Sequence, residues 1–217
     1  MKINTTKIVA MTQPLIEGIQ TADEFLAYTA RVSNPSNQMN TETAHKLIKY
    51  LLKHKHFSPF EMVSVTMEVV TTRDIARQIL RHRSFSFQEF SQRYADPTQD
   101  LGFVTRETRL QDKKNRQNSI ATDDDQLKSH WNAYQQQVKI VAEECYKWAI
   151  ENGIAKEQAR SVLPEGLTVS RLYMTGNLRS WLHYSELRMG PETQKEHREV
   201  AQSAWSEILK YFPSLQE

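Results

Sequence analysis

A regular apolar repeat between residues 126 and 152 is the strongest constraint on how this chain can fold. Its members recur at alternating steps of four and three residues: Leu127, Trp131, Tyr134, Val138, Val141, Cys145 and Trp148. That spacing puts them on one side of an α-helix, and Gly153 stands where a glycine commonly ends a helix. We therefore predict one long helix whose apolar stripe is buried in the core or against another helix, including one in an oligomer.

Shorter patterns predict the remaining helices and strands. Between residues 63 and 69, valine or methionine alternates with serine, threonine or glutamate, which is typical of a half-buried strand at 62–70. We also predict strands at 3–11 and 168–174, and helices at about 21–32, 41–53, 71–80, 156–162, 177–188 and from 193 onward. Capping boxes at Thr21 and Thr193 would begin two of these helices. The mixture predicts an α+β fold, with several helices packed with a small, mostly antiparallel sheet, in a single domain over residues 1–217.

Composition excludes several classes of protein. The formal net charge is only +2, so no global field attracts nucleic acid, and any basic site must be local. The chain has no apolar run of about eighteen residues and no signal-peptide stretch at its start, so we expect no membrane association and a cytoplasmic location. Residues 111–126 are almost wholly polar and predict a mobile surface loop, in which Asp123, Asp124 and Asp125 form a solvated helix cap.

Familiar cofactor and metal motifs are missing from the sequence. No glycine-rich phosphate loop is present, so a dinucleotide would have to be held by side chains. Neither H-E-x-x-H nor C-x-x-C occurs, so we predict no metal site. The single cysteine, Cys145, belongs to the long apolar stripe, which predicts a buried, inert thiol and not a nucleophile.

The stretch from Arg81 to Tyr94 has an unusual composition. It combines three arginines, one histidine, three serines and four aromatic rings with a single carboxylate, Glu89. Cations that follow a helix would gain about 0.3–1 kcal/mol from its dipole, but that explains neither the serines nor the rings. Fixed positive charges suit an anion, and rings with hydroxyls suit a planar heterocycle. We therefore predict a nucleotide site here.

A second polar cluster lies between Arg160 and Arg188. On a helix over residues 177–188, four polar positions fall near one face: Asn177, Ser180 or Arg179, His183 or Tyr184, and Arg188. Either this face meets the nucleotide site, or the helix is simply exposed to solvent.

Together these residues resemble the flavin-dependent thymidylate synthases. The pattern is Arg81-His82-Arg83, seven residues, Ser91, one residue, Arg93. The resemblance extends to residues 30–33, 56–61, 78–81, Arg160 with Leu163-Pro164, and 177–188, but not to 100–125. Three positions depart from the family's usual residues: Gln88, Ser58 and Trp181.

The resemblance implies an activity and a set of site residues. Family members methylate dUMP to dTMP, with methylenetetrahydrofolate as carbon donor and NADPH-reduced FAD as hydride source, and without a cysteine nucleophile. They are homotetramers with shared active sites. Residues that would bind dUMP are Gln78, Arg81, Glu89, Ser91, Gln92, Arg93, Arg160 and Arg188, the last of which would also be catalytic by favouring the ionised uracil. Residues that would bind FAD are Ser33, Ser58, Arg81, His82, Arg83, Glu89, Asn177, Arg179 and His183.

The alternative function is a module that binds single-stranded nucleic acid, using arginines for phosphate and aromatic rings for stacking. The nearly balanced charge and the lack of an RRM or KH signature count against it.

Overall fold

Four antiparallel strands form the central sheet, in the order β1-β2-β6-β3. The structure, a computed structural model, describes residues 2–216. The six strands are β1 (Thr5–Met11), β2 (Ser64–Thr72), β3 (Ser86–Glu89), β4 (Arg109–Gln111), β5 (Ser119–Ala121) and β6 (Val169–Asn177). The eight α-helices of the described part are α1 (Ala22–Ala30), α2 (Ala44–Lys53), α3 (Arg73–Ile79), α4 (Pro97–Asp100), α5 (Asp125–Glu151), α6 (Lys156–Ala159), α7 (Leu178–Arg188) and α8 (Lys195–Tyr211). The predicted α+β class and antiparallel sheet are confirmed.

The main core lies on one face of this sheet. Along β2, Val65, Met67 and Val69 are buried, whereas Ser64 is exposed, so the predicted alternation is confirmed. Helices α1, α2, α7 and α8 cover these side chains with residues that include Leu26, Ile48, Leu51, Trp181 and Ile208. A one-sided core of this kind is common in antiparallel sheets. No helix of residues 2–216 is both long and apolar enough to cross a membrane.

The predicted long helix is confirmed as α5, but the prediction that its apolar stripe is buried is not. It runs from Asp125 to Glu151, one residue from the predicted bounds at each end, and Asp124 caps it by accepting from the N–H of Leu127 at 2.9 Å. Gln135, Ala142, Tyr146 and Ala149 are its buried residues.

The apolar stripe itself lies outside the core. Trp131 is 45% exposed, Tyr134 64% and Trp148 61%, and the other members are also exposed. The expectation of a core position is therefore wrong, while the expectation of a contact with another helix in an oligomer stays open. Periodicity identifies which side chains share a face, but not which face the rest of the chain covers.

Two further expectations need correction. The segment predicted to be a loop at 111–126 contains half of a hairpin, in which β4 pairs with β5 and Leu110 lies opposite Ile120. The second predicted capping box does not form, because α8 begins after Gln194 and the carboxylate of Glu196 instead pairs with Arg106 and Arg109. The first box is confirmed, with the side chains of Thr21 and Glu24 each accepting from the other's backbone N–H.

Candidate active site

The Arg81–Tyr94 stretch is fixed to the edge of the central sheet. Its middle forms β3, which pairs with β6 so that Glu89 lies opposite Leu172, and the N–H of Phe90 donates to the carbonyl of Arg171 at 2.8 Å. Before β3, the Phe85 ring packs edge-on against Trp181, with centroids 4.8 Å apart. The sequence did not predict this strand. Pairing with a regular strand gives the stretch a defined position.

The carboxylate of Glu89 is at the centre of a cluster of cations. Ser170 donates to its Oε1 at 2.8 Å, Arg77 donates to its Oε2, and Arg73 lies 3.6 Å from Oε1. The Glu89 side chain is 14% exposed, so most of its surface is covered by these partners. Within the described chain, this carboxylate is therefore held in place by three neighbours, and it is available to a ligand only in part.

Arg73 and Arg77 are site residues that the sequence analysis missed. Arg73 stands eight residues and Arg77 four residues before Arg81, and this repeated spacing of four residues between arginines is the signal that could have identified them. Burial lowers the pKa of Arg73, the Glu89 carboxylate opposes that effect, and the positive charges of Arg77 and Arg160 add to it. Arg160 therefore lies near enough to this cluster to act on it electrostatically. Arg73, Arg77 and Arg160, set against the carboxylates of Glu89 and Glu165, leave a small excess of positive charge suited to an anion.

The turn after β3 holds three of the predicted nucleotide-binding residues. Ser91 Oγ accepts from the N–H of Arg93 at 3.4 Å, and the Arg93 guanidinium lies 3.6 Å from the carboxylate of Glu157. Gln92 is buried, and its Nε2 has no hydrogen-bond partner among residues 2–216. A buried amide without a partner is costly, and a ligand acceptor would satisfy it.

His82 and Arg188 are joined directly. The Nε–H of Arg188 donates to His82 Nε2 at 2.9 Å. Burial and, after it, the charges of Arg188, His183 and Arg81 together lower the pKa of His82 to about 4. Because a guanidinium can only donate, the imidazole must be neutral with its proton on Nδ1. The last residue of α7 is thus tied to the Arg-His-Arg motif.

Gln78 is engaged from two sides. Its Oε1 lies 3.2 Å from Nδ1 of His197, and its Nε2 donates to Gln194 at 2.8 Å. The predicted role in binding dUMP would therefore use the second N–H of this amide or the free lone pair of its oxygen.

A cleft of about 1420 Å³ lies between α2, α7 and the C-terminal residues. Three predicted flavin-binding residues, Asn177, Arg179 and His183, line it from α7. The other lining residues include three lysines and several apolar side chains: Lys49, Lys53, Lys55, Leu52, Phe57, Leu182, Met189, Trp205 and Leu209. Ligand pockets of about 300–1000 Å³ hold drug-sized molecules, so this cleft has the volume and the cations for a dinucleotide.

Helix α7 resolves the alternatives left open by its sequence. Ser180 and Tyr184 are buried, whereas Arg179 and His183 are exposed toward the cleft, where the Arg179 guanidinium is paired with the carboxylate of Glu61. Asn177 caps the helix, because its Oδ1 accepts from the N–H of Ser180 at 2.9 Å. The cap uses the amide oxygen of Asn177, and its N–H groups have no hydrogen-bond partner in the part of the chain that the structure describes.

Other predicted flavin-binding residues are not brought to this cleft. Ser33 lies on an exposed turn after α1, and Arg81 and Arg83 are exposed at the end of α3. Ser58 begins a short 3-10 helix, Ser58–Met62, and does not line the cleft, although its neighbours Phe57 and Glu61 do. A single chain therefore collects only part of the predicted flavin set.

Cys145 is exposed on α5, so the expectation of a buried thiol is wrong. Within residues 2–216, Cys145 belongs neither to the cleft lining nor to the hydrogen-bond partners of the Arg81–Tyr94 stretch. Among residues 2–216, no group of three or more His, Cys, Asp or Glu side chains is arranged to hold a metal ion.

Comparison with known proteins identifies the family. The family described as "Thymidylate synthase complementing protein" matches residues 14–214. The chain is 46% identical over 211 residues to the "Probable flavin-dependent thymidylate synthase" of Paramecium bursaria Chlorella virus 1, covering 97% of this chain and 96% of that protein. It is also 46% identical over 212 residues to the "Flavin-dependent thymidylate synthase" of Synechocystis sp., covering 96% of each.

A solved structure agrees with this assignment. The UMP/dUMP methylase PolB from Streptomyces cacaoi, crystallised with 5-Br UMP, superposes with a TM-score of 0.79 and 29% identity, over 97% of this chain and 90% of that chain. The chain belongs to the flavin-dependent thymidylate synthase family.

Proposed function

We propose that this chain is the methyltransferase that converts dUMP to dTMP, with methylenetetrahydrofolate as carbon donor and NADPH-reduced FAD as hydride source. The observation that carries the proposal is the course of α7. The helix begins at the cleft, next to Asn177, and ends at the Arg188–His82 hydrogen bond. One rigid element thus connects a cleft suited to a dinucleotide with the stretch suited to a nucleotide.

The nucleotide phosphate binds where positive charge is in excess. Arg81, Arg93 and Arg160 supply guanidinium groups, and the Ser91 hydroxyl adds a hydrogen-bonding group. Gln92 fits a ligand here because its buried Nε2 lacks a partner within the described chain. Gln78 and Glu89 lie on the same stretch or just before it, and we assign them to the same nucleotide.

Arg188 is the catalytic residue of the proposal. A guanidinium keeps its proton at physiological pH, so Arg188 stabilises the negative charge of an ionised uracil without transferring a proton itself. Its Nε is used by His82, and the terminal N–H groups remain to face the base. No enzyme nucleophile is required, and Cys145 is an exposed residue of α5.

FAD fits the cleft on the observations above, with Asn177, Arg179 and His183 holding it from α7. When bound, the flavin supplies the hydride for the reductive methylation. Ser33, Ser58, Arg81, His82, Arg83 and Glu89 are the further flavin-binding residues of the proposal. Since a single chain does not bring all of them to one cleft, we assign some to a neighbouring copy.

A homotetramer would unite these residues. The exposed stripe of α5 supports this, because tryptophan, tyrosine and valine side chains at helical spacing form a continuous apolar surface. We further propose that the assembled enzyme acts in the cytoplasm.

Turnover is tested with purified protein, dUMP, methylenetetrahydrofolate, NADPH and FAD. We expect a yellow protein that releases FAD on denaturation and forms dTMP. Protein that stays colourless after reconstitution, or holds flavin but forms no dTMP, would contradict the proposal. UMP in place of dUMP measures the sugar preference, because the solved relative is named for both. Binding of single-stranded DNA in the absence of turnover would instead favour the nucleic-acid alternative.

A further inference from the structure

His197, on α8, lies between two groups of site residues. It is fully buried, and both of its ring nitrogens have partners. Nδ1 lies 3.2 Å from Oε1 of Gln78, and Nε2 lies 3.1 Å from the hydroxyl of Tyr184. The first partner is a predicted nucleotide-binding residue on α3, and the second is a core residue of α7.

Gln194, Gln78, His197 and Tyr184 form a chain of hydrogen bonds, and the charged carboxylate of Glu196 at its first end determines which group of each pair donates. The carboxylate of Glu196 accepts from Gln194 Nε2 at 3.0 Å and pairs with Arg109. Gln194 therefore presents its oxygen to Gln78, whose Nε2 donates to it at 2.8 Å. Gln78 in turn presents its own oxygen to His197, which must carry its proton on Nδ1.

The remaining nitrogen of His197 is then an acceptor. Nε2 accepts from the Tyr184 hydroxyl, whose pKa is raised by burial, so the phenol keeps the proton it donates. Burial also lowers the pKa of His197 to about 3, which keeps its imidazole neutral and preserves the direction of the chain. Only a neutral imidazole can donate to Gln78 and accept from Tyr184 at the same time.

Tyr184, which donates to His197, also contacts the His82–Arg188 pair. The His82 ring packs edge-on against Tyr184, with centroids 4.9 Å apart and planes at 80°. His82 then accepts from Arg188. One nitrogen of His197 therefore fixes Gln78, and the other fixes the aromatic surface that orients His82 and Arg188.

We propose that His197 is a positioning residue that serves the two halves of the nucleotide site separately, holding Gln78 for substrate binding through Nδ1 and the His82–Arg188 pair for turnover through Nε2. This rests on the proposed function. A purely structural role for His197 makes a different prediction, since loss of either bond would then lower stability and change binding and turnover together.

Two substitutions separate the two nitrogens. The side-chain amide of His197→Asn lies near the position of Nδ1 and can still donate to Gln78, but it leaves Tyr184 without its acceptor. The amide of His197→Gln reaches the position of Nε2 and can still accept from Tyr184, but it leaves Gln78 without its donor. Tyr184→Phe removes only the hydroxyl and is the matched partner of His197→Asn.

The measurements are dUMP affinity, by calorimetry on the oxidised holoenzyme without folate or NADPH, and turnover at saturating substrate. Loss of one neutral hydrogen bond corresponds to about a three- to tenfold effect. We expect that effect mainly on dUMP affinity for His197→Gln, and mainly on turnover for His197→Asn and Tyr184→Phe. The double variant His197→Asn, Tyr184→Phe should be no slower than the slower single variant.

The inference would be overturned if both His197 variants lost dUMP affinity and turnover to the same extent, in proportion to the decrease in their melting temperatures. So would unchanged values in an active enzyme. If one His197 variant does not fold, Tyr184→Phe still tests whether the bond to Nε2 supports turnover. A wild-type enzyme that forms no dTMP would refute the proposed function itself. An active wild type whose variants are unaffected would refute only the role of His197.

Discussion

Arg188 and His82 are joined by a hydrogen bond of 2.9 Å in which the guanidinium Nε–H donates to the imidazole Nε2. Such a bond requires a neutral histidine, and burial ensures it by lowering the pKa of His82 to about 4. The pair is thus a fixed cation supported by an uncharged ring. This arrangement orients Arg188 without neutralising it, so its charge stays available to a ligand.

Replacing Arg188 tests its electrostatic role. We expect Arg188→Ala to lower turnover about 100- to 1000-fold, the range seen when one donor to a developing negative charge is removed. Flavin content should remain close to that of the wild type, because Arg188 does not line the cleft. Turnover, bound FAD and dUMP affinity are measured together. Arg116→Ala, in the exposed β4–β5 connection, is the control, and normal dTMP formation by Arg188→Ala would refute the assignment.

Substitutions of Arg93 and Glu157 should change dUMP affinity in opposite directions. Their side chains are 3.6 Å apart and largely exposed, so the carboxylate competes with a nucleotide phosphate for the same guanidinium. We expect Arg93→Ala to weaken dUMP binding at least about tenfold, since hydrogen bonds to charged groups contribute about 1.5–3 kcal/mol. Glu157→Gln should instead strengthen binding by up to about fivefold, because exposed ion pairs are worth about 0.2–1 kcal/mol.

Calorimetry with dUMP and with deoxyuridine measures both effects. Deoxyuridine lacks the phosphate, so neither substitution should alter its affinity by more than the error of the measurement. An equal change for both ligands would show that Arg93 acts on the base or the sugar.

Sequence patterns located the long helix and the Arg-His-Arg motif because both depend on local spacing. The bounds of α5 follow from a stripe that continues without interruption over its whole length. Strand β3 was not predicted, because its four residues, Ser86 to Glu89, owe their conformation to pairing with β6. That pairing depends on residues more than eighty positions away, which no local pattern contains.

The environment of side chains was harder to predict than their secondary structure. Cys145 shares a face with Trp131 and Trp148, as predicted, but that face is exposed in the single chain. Arg73 and Arg77 were missed because each belongs to a helix that also has an ordinary structural role. Their contacts with Glu89 depend on the sheet register, which brings Ser170 and Glu89 together.

The α5 stripe predicts the effect of a charge on assembly. Trp148→Asp places a carboxylate within the exposed apolar surface, and we expect it to convert the proposed tetramer into smaller species. Gln136→Asp, on a different face of the same helix, is the matched control and should leave the mass unchanged. Light scattering after gel filtration measures both. A wild-type monomer, or a Trp148→Asp protein of unchanged mass, would rule out this face as the interface.

Stability should depend on pH through His82 and His197. Their native pKa values are about 4 and about 3, against 6.5 for an ordinary histidine. Below pH 6.5 the unfolded chain therefore binds more protons than the native chain, so stability is greatest above pH 6.5 and is lost as the pH falls toward 4.

Melting temperatures between pH 7 and pH 5 measure this loss, because most carboxyl groups titrate below that window. In His197→Gln the decrease should be about half that of the wild type, since one of the two histidines no longer contributes. His130→Gln, on the exposed part of α5, is the control. A decrease of the same size in His197→Gln and in the wild type would contradict the prediction.

Gly176 allows the Arg81–Tyr94 stretch to approach β6. A Cβ atom at this position would overlap with the ring of Phe85, which is also packed against Trp181 and Tyr184 and has little room to move. We expect Gly176→Ala to destabilise the protein by about 1–3 kcal/mol, the usual effect of overpacking, and to weaken dUMP binding by displacing the stretch.

Adding Phe85→Leu should restore part of the melting temperature, because a smaller side chain relieves the clash. Gly166→Ala is the control, because an added Cβ there meets no atom of residues 2–216 within 4 Å. A Gly176→Ala protein with unchanged melting temperature and dUMP affinity would show that the Phe85 ring can move without consequence.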